Sequence, residues 1–494
     1  MARSVNTFSK YLKWSWLLLL VPIYLFIFLK IGNFHVRLWD ESWFAVHAYE
    51  MLEQGSLLVP YFDGHPVIHG TKPPLQSWLQ MISISLFGYS EMSLRLPSAM
   101  AAAVTVVWVY HFMKSNVGIL TAWISAMVLL TTNGFIHYHA ARGMEADSLL
   151  TLTLFAQAVF IWRFIKTDKP LNLAITGLLV GVSFWVKGVA GFLFVPALLA
   201  SVIYTKKDSI STILKSPFTY GGIFMALGLS AAYMLIRESL QPGYTDFVLD
   251  MQAGRAIADV GHDQSFGFYY DLLVNRFFGY WIAFGVAGLF LPFLLNIEGK
   301  TIFKFSAIIT VIFLLTISAA RSKLQWYTMP VYPFLAIITA GSIAHLFQKL
   351  DRRFALIFLG ILFWFPSAAM FNKSQNNKID GYSMVTESQE DYLYHAYRNG
   401  KNLNGVKVLH THFSGALLFY KYKFEAQNQD LQLRTNSAVE VNDIVLVRNH
   451  KFLKELDQNY TLDTLDQNGA AYLLKVGISK SDHVESELQK EFQD

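Results

Sequence analysis

Eleven apolar windows constrain this chain more than any other feature. They fall at roughly 14–32, 95–113, 117–137, 148–165, 171–186, 189–204, 218–236, 277–296, 303–319, 328–347 and 354–371. A helix of about 20 apolar residues crosses a bilayer because it satisfies every backbone N–H and C=O within the segment. Composition points the same way. Of the 494 residues 53% are hydrophobic and 15% charged, against about 25% charged in soluble domains. A polytopic membrane protein is the class that fits. The two windows flanking Lys187 are short, and their ends are the least defined.

Threading the windows alternately across a bilayer puts the connectors 114–116, 166–170, 205–217, 297–302 and 348–353 on one side. Together they hold Lys114, Lys166, Lys169, Lys206, Lys207, Lys215, Lys300, Lys349, Arg352 and Arg353. Short positive loops stay in the cytoplasm. The expected orientation in the plasma (inner) membrane therefore has the N-terminus cytoplasmic and Asp40 outside. Arg3, Lys10 and Lys13 precede an uncharged run, Trp14 to Leu29, longer than a signal core and with no small-residue cleavage site after it. It reads as a retained anchor. The net charge of +5 needs no nucleic acid to explain it. Without cysteine there is no disulfide, thiol nucleophile or cysteine metal site.

Two regions escape the span pattern. The stretch 33–94 opens on Asp40-Glu41-Ser42-Trp43 and returns through Lys72-Pro73-Pro74-Leu75. Loops this long are usually functional or disordered. Its pieces Glu41–Gln54 and Leu75–Phe87 are predicted as interfacial helices, with Trp43, Tyr49, Tyr61, Trp78 and Tyr89 at headgroup depth. From 372 the composition turns polar. Strand-like runs at Val406–His412, Ala416–Tyr422, Asp443–Val447 and Ala470–Val476 lie between turn signals such as Gly405 and Asn468-Gly469. Residues from Asp482 read as a charged, fraying tail. The expectation is an all-α polytopic body over 1–371, with about 11–13 transmembrane helices and interfacial helices. A small extracytoplasmic α/β domain follows over 372–494.

Charged groups outside the cytoplasmic connectors gather at segment ends on one face: Asp40, Glu41, Lys72, Arg142, Glu145, Asp147, Lys187, Arg255, His262, Arg276, Arg321 and Lys323. A transporter tends to place such groups near the midplane on broken helices. At the surface they meet a lipid headgroup instead. A carboxylate can accept the proton of an attacking hydroxyl. Lysine and arginine can neutralise a phosphate, as a point charge and as a bidentate fork, and so stabilise a lipid phosphate as it departs.

The order of these pieces resembles the GT-C glycosyltransferases. The matching segments are Asp40-Glu41 after the first span, Glu50-Met51 with Gly55 and Pro60, Lys72-Pro73-Pro74-Leu75 and Arg95-Leu96-Pro97-Ser98. Arg142-Gly143-Met144-Glu145-Ala146-Asp147, Lys187-Gly188 and Ser322-Lys323-Leu324 through Tyr327 and Pro330 continue the series. The chain looks most like the bacterial aminoarabinose transferases acting on lipid A and the protein O-mannosyltransferases, over residues 10–345. The resemblance implies an inverting transfer of a sugar from a polyprenyl-phosphate donor to a glycolipid, glycan or protein acceptor outside the membrane. It makes Asp40 the catalytic carboxylate, with Glu41 shaping the site. Lys72 would face a phosphate, Asp147 would be the second acid near the donor, and Lys187, Arg255 and Lys323 would be donor-phosphate ligands. Arg142 joins the phosphate-binding set by residue type.

One position departs from the aminoarabinose transferases: Thr71 stands where their pattern has glutamate before Lys-Pro-Pro. That weakens lipid A as the acceptor. No cofactor is required by the resemblance, since the donor phosphate is itself the leaving group. His65 and His69, four apart, have the spacing to share a divalent metal on a helix. Gly64, Pro66 and Gly70 argue for a loop there. His137 and His139 precede Arg142 and are either site residues or helix-end packing. Two rivals share these features: a transporter or flippase of lipid-linked sugars, and a non-catalytic assembly subunit that binds through its C-terminal domain.

Overall fold

The computed structural model describes residues 14–376, 389–411 and 415–480, less residues 71, 138, 208–209 and 258–261 and the side chains of 253, 255–257 and 352. Each of the eleven windows holds an apolar helix. The first, Ser15–Phe28, mixes 3-10, α and π turns. Next come α1 (Asp40–Glu53) and α2 (Leu75–Phe87), the two helices expected in the long loop. The hairpin of β1 (Tyr61–Phe62) and β2 (His65–Pro66) separates them.

The membrane body follows as α3 (Glu91–Asn116), α4 (Ile119–Leu130), α5 (Asp147–Thr167), α6 (Leu171–Lys187), α7 (Val195–Thr205), α8 (Pro217–Leu240) and α9 (Tyr244–Ile257). It ends with α10 (Ile282–Leu294), α11 (Lys300–Ala319), α12 (Tyr332–Phe347) and α13 (Arg352–Asn376). Among the described residues seven helices are long and apolar enough to cross a membrane. Phe268–Phe277 and Gly279–Leu294, bent by 94°, make an eighth if taken as one span. Three shorter apolar helices, Ser15–Phe28, α4 and α7, fill the remaining windows.

Local chemistry sets these ends. Ser90 and Ser93 form a reciprocal capping box that starts α3. Thr131 and Thr132 donate their hydroxyls back to the carbonyls of Met127 and Val128 and close α4 early. After Lys187 the chain turns through Gly188 at φ +59, a left-handed conformation that favours glycine, and this splits α6 from α7. A Cβ on Gly177 would meet the Gly222 carbonyl oxygen at 2.1 Å, so small residues let α6 and α8 touch backbone to backbone. Exposure tells lipid from core: Phe224 on α8 and Trp364 on α13 point outward, whereas almost all of α12 is buried.

The C-terminal domain begins at α14 (Gln389–Arg398). Its mixed five-stranded sheet has the order β4-β3-β5-β7-β6, with β3 (Lys407–Leu409), β4 (Gln432–Arg434), β5 (Ile444–Val447), β6 (Tyr460–Asn468) and β7 (Ala471–Ser479). The run Ala416–Tyr422, expected as a strand, is part of a helix, α15 (Gly415–Glu425). Its alternation of large and polar side chains misleads because both faces are covered: Leu417, Leu418, Phe419, Tyr420 and Lys423 are all buried. A last helix, α16 (His450–Asn459), lies between β5 and β6. The tail from Asp482 lies outside the described residues.

Helix α15 fastens this domain to the membrane body. Lys423 donates to Glu91 at 2.7 Å, Tyr420 to Glu91 at 3.2 Å and Tyr422 to Glu50 at 2.7 Å. The Tyr420 hydroxyl also accepts from the Val36 amide at 3.1 Å, so the domain is held along α1 and at the start of α3.

Candidate active site

Three of the charged residues singled out in the sequence line one cavity, and a fourth, Asp40, pairs with one of them. Asp40 opens α1, where an acid in the first turn is favoured by the helix dipole. Lys72 reaches it from the bend before Pro73-Pro74, with Nζ 2.9 Å from Asp40 Oδ1. Asp147 opens α5 and Lys187 closes α6, and their side chains meet at 2.5 Å. Lys72, Asp147 and Lys187 line a cavity of 320 Å³ that continues between apolar side chains, among them Leu150, Val189, Leu193 and Ile317. Tyr327 stands at its wall, its ring 5.9 Å from Lys187 Nζ. The cavity has a charged end and a greasy end.

Burial by itself would raise the Asp40 carboxyl. The adjacent Lys72, then His139 and Lys187, outweigh it and hold the group well below the usual carboxylate range. Asp40 is therefore ionised at physiological pH.

His139 enters this site while His137 does not. Its Nδ1 lies 4.0 Å from Asp40 and 3.4 Å from Glu145, and its ring stacks on Trp326 at 3.7 Å. Burial pushes the imidazole down to about 3, against the pull of Asp40, so the ring is neutral. Glu145 is pushed up to about 8 by burial and by the charge of Glu41. Its carboxylate folds back over Gly143, where a Cβ would meet Oε2 at 2.0 Å. His137 instead packs against Ser374, with Nε2 and Oγ 3.4 Å apart.

The other expected site residues lie elsewhere. Glu41 points away from Asp40 into a closed pair: Arg95 donates to both its oxygens, at 2.8 and 3.2 Å, and the Arg37 amide at 2.8 Å. It anchors the first turn of α1 and does not line the Lys72 cavity. Arg142, expected to bind phosphate, gives its guanidinium to the carbonyls of Ile27, Leu29 and Ser374 and ties the first helix to α13. Lys323 donates to the carbonyl of Gln264 at 2.8 Å and fixes a loop, although its neighbour Ser322 lines the cavity. Both placements have one cause. Residue type marks a cation, but only packing decides whether it faces a ligand or an orphan helix end. The Arg255 side chain and Thr71 lie outside the described residues. Gln252, on the same helix as Arg255, does line the cavity. His65 is exposed in β2, and the His69 ring packs edge-on against Phe247.

Arg237 gave no signal in the sequence. It is fully buried at the end of α8, with its guanidinium 4.3 Å from the Tyr244 ring. Burial, Lys72 and Arg237 together push the nearby His47 down to about 3.

The family model for dolichyl-phosphate-mannose-protein mannosyltransferases matches residues 71–235. A putative mannosyltransferase of Bacillus subtilis (strain 168) is 28% identical over 39% of this chain and 29% of its own length. An undecaprenyl phosphate-alpha-4-amino-4-deoxy-L-arabinose arabinosyl transferase of Pectobacterium atrosepticum is 26% identical over 66% of this chain and 58% of its own. The chain thus spans little more than half of that relative and less than a third of the other. The crystal structure of ArnT from Cupriavidus metallidurans bound to undecaprenyl phosphate superposes with a TM-score of 0.70 at 13% identity, covering 95% of this chain and 98% of that one. In sequence and in fold the chain resembles the GT-C glycosyltransferases, including aminoarabinose transferases and protein mannosyltransferases.

Proposed function

We propose that this integral membrane protein transfers a sugar, with inversion, from a polyprenyl-phosphate donor to a hydroxyl of a glycolipid, glycan or protein on the outer side of the membrane. The observation that carries the reading is the pairing of an ionised Asp40 with Lys72 at 2.9 Å where a cavity changes from charged to apolar. A phosphate on a lipid has those two needs: cations at the head and an apolar groove for the tail.

The chemistry follows from the residues. The donor phosphate sits by Lys72 and Lys187, its chain along Val189, Leu193 and Ile317. Asp40 accepts the acceptor hydroxyl proton as the oxygen attacks C1 of the sugar. The C1–O bond to phosphate breaks, and the phosphate leaves with the electron pair. Lysine charge stabilises it as the negative charge develops. Asp147 holds Lys187 in place to do this. Attack opposite the leaving phosphate inverts the anomeric centre.

Mass spectrometry of envelope lipids and glycans tests this, in cells lacking the protein and complemented with wild type or Asp40→Asn. The expected result is one sugar lost in the knockout and restored by wild type alone, at equal expression. Full restoration by Asp40→Asn would sink the transferase reading and favour a flippase.

A further inference from the structure

A second, larger cavity has Trp39, the residue before Asp40, in its wall. It measures 810 Å³ and is formed where the sheet domain meets the start of α1. That size falls in the range of small-molecule sites, about 300–1,000 Å³. Its walls come from two parts of the chain that meet only because α15 is docked: Trp39 from the loop before α1, and Glu390, His410, Arg448, Asn449 and His450 from the C-terminal domain.

The chemistry of this lining is specific. Trp39 is 63% exposed, a large aromatic side chain one residue before Asp40. Its backbone is strained, at φ 68 and ψ −122, a conformation rare for a bulky residue and one that clusters at functional sites. The two neighbours diverge: Asp40 pairs with Lys72 while the Trp39 side chain lines the second cavity. Lining the same cavity are a carboxylate (Glu390), an amide (Asn449), a guanidinium (Arg448) and two imidazoles (His410 and His450). An aromatic platform ringed by donors and acceptors of both kinds suits the alternating C–H and hydroxyl faces of a sugar. The floor is rigid, because Gln389 donates to the carbonyls of Leu409 and Leu446 at 2.9 Å each, and Asn449 caps α16.

We propose that this cavity is the acceptor subsite and that it binds the carbohydrate of a glycan, stacked on Trp39 and held by Glu390 and Arg448. The inference rests on the transferase reading, and it narrows the acceptor from any hydroxyl to one on a sugar. It also gives the C-terminal domain a role, since that domain completes a binding site next to Asp40 that the membrane body forms only in part.

The test uses the full chain in lipid nanodiscs. Lipid-free oligosaccharides are released by mild acid from the lipid and the protein fractions of the host envelope. Each is titrated separately and binding is read by saturation-transfer NMR. Saturable binding is expected for one fraction, which identifies the carrier, with wild type and Asp40→Asn binding alike. Losing a charged hydrogen bond in Arg448→Ala or Glu390→Gln should weaken it by about tenfold or more, while binding of undecaprenyl phosphate stays unchanged. The exposed His450→Ala serves as a milder variant that leaves the fold alone. If neither fraction binds wild type, or if Arg448→Ala and Glu390→Gln both bind as wild type does, the subsite is overturned. The two readings fail separately: transfer retained by Asp40→Asn defeats the transferase, whereas the NMR titration judges the subsite whether or not any sugar moves.

Discussion

Asp40 and Glu41 are adjacent carboxylates at the start of one helix, and the fold gives them opposite environments. The Asp40–Lys72 pair is open, with side chains 34% and 26% exposed and a cavity at its side. The Glu41–Arg95 pair is closed, both side chains fully buried, and every remaining Arg95 donor goes to the carbonyls of Ile31, Phe34 and His35. An open pair has lone pairs and charge left for a substrate. A closed pair has spent them on holding two segments together. Charge in an enzyme is therefore read by what it still lacks.

That contrast can be broken by substitution. Asp40→Asn keeps the size and removes the base. It should lower kcat by about 10²–10⁴ and leave the unfolding temperature in detergent within a degree or two of wild type. A matching loss of stability would place Asp40 with the closed pairs. Glu41→Gln should do the reverse: an uncompensated buried Arg95 costs about 3–5 kcal/mol, visible as a lower melting point and poor expression, while protein that does fold keeps much of its kcat.

The Asp147–Lys187 pair, largely buried yet lining the cavity, sharpens the point. Lys187→Met removes a cation from the cavity and leaves Asp147 without its partner. If Lys187 faces the donor phosphate, binding of undecaprenyl phosphate should weaken by about tenfold or more, the worth of a charge-assisted hydrogen bond. Equal affinity with a lower melting point would make Asp147–Lys187 another closed pair.

Much of this was legible in the sequence, for identifiable reasons. Span positions follow from hydropathy alone, and all eleven windows hold helices. The helices of the long loop were legible because apolar and polar residues alternate along Glu41–Gln54 and Leu75–Phe87, with Trp43, Tyr49 and Trp78 suited to headgroup depth. Asp40, Lys72, Asp147 and Lys187 stood out because each is a charge at the end of an apolar segment. The same rule also selected Glu41, Arg142 and Lys323, whose partners are backbone carbonyls or a distant arginine. Nothing local distinguishes the two groups. In α15, burial on every face erased the helical period that an amphipathic helix would show. The Trp39 cavity was unreadable because its walls lie some 350 to 410 residues apart in sequence.

Glu145 offers the finest test, because it lies between the two kinds of pair: buried like Glu41, yet 3.4 Å from the histidine that approaches Asp40. The fold raises its pKa from an ordinary 4.5 to about 8. At neutral pH it is a protonated donor that can orient the neutral His139 without adding charge beside Asp40. A folded carboxyl above its unfolded value keeps a proton that the unfolded chain has shed. This share of stability is therefore full below about pH 4.5 and lost as pH rises through about 8. Glu145→Gln copies the protonated form. It should hold kcat at pH 7 within about threefold, a change under 1 kcal/mol. It should also flatten the fall in kcat that wild type shows between pH 7 and 9, and the fall in melting temperature that wild type shows between about pH 5 and 8. A wild-type profile that stays level to pH 9, or a glutamine variant that falls as steeply, would mean that Glu145 is ionised at neutral pH and belongs with the buried pairs.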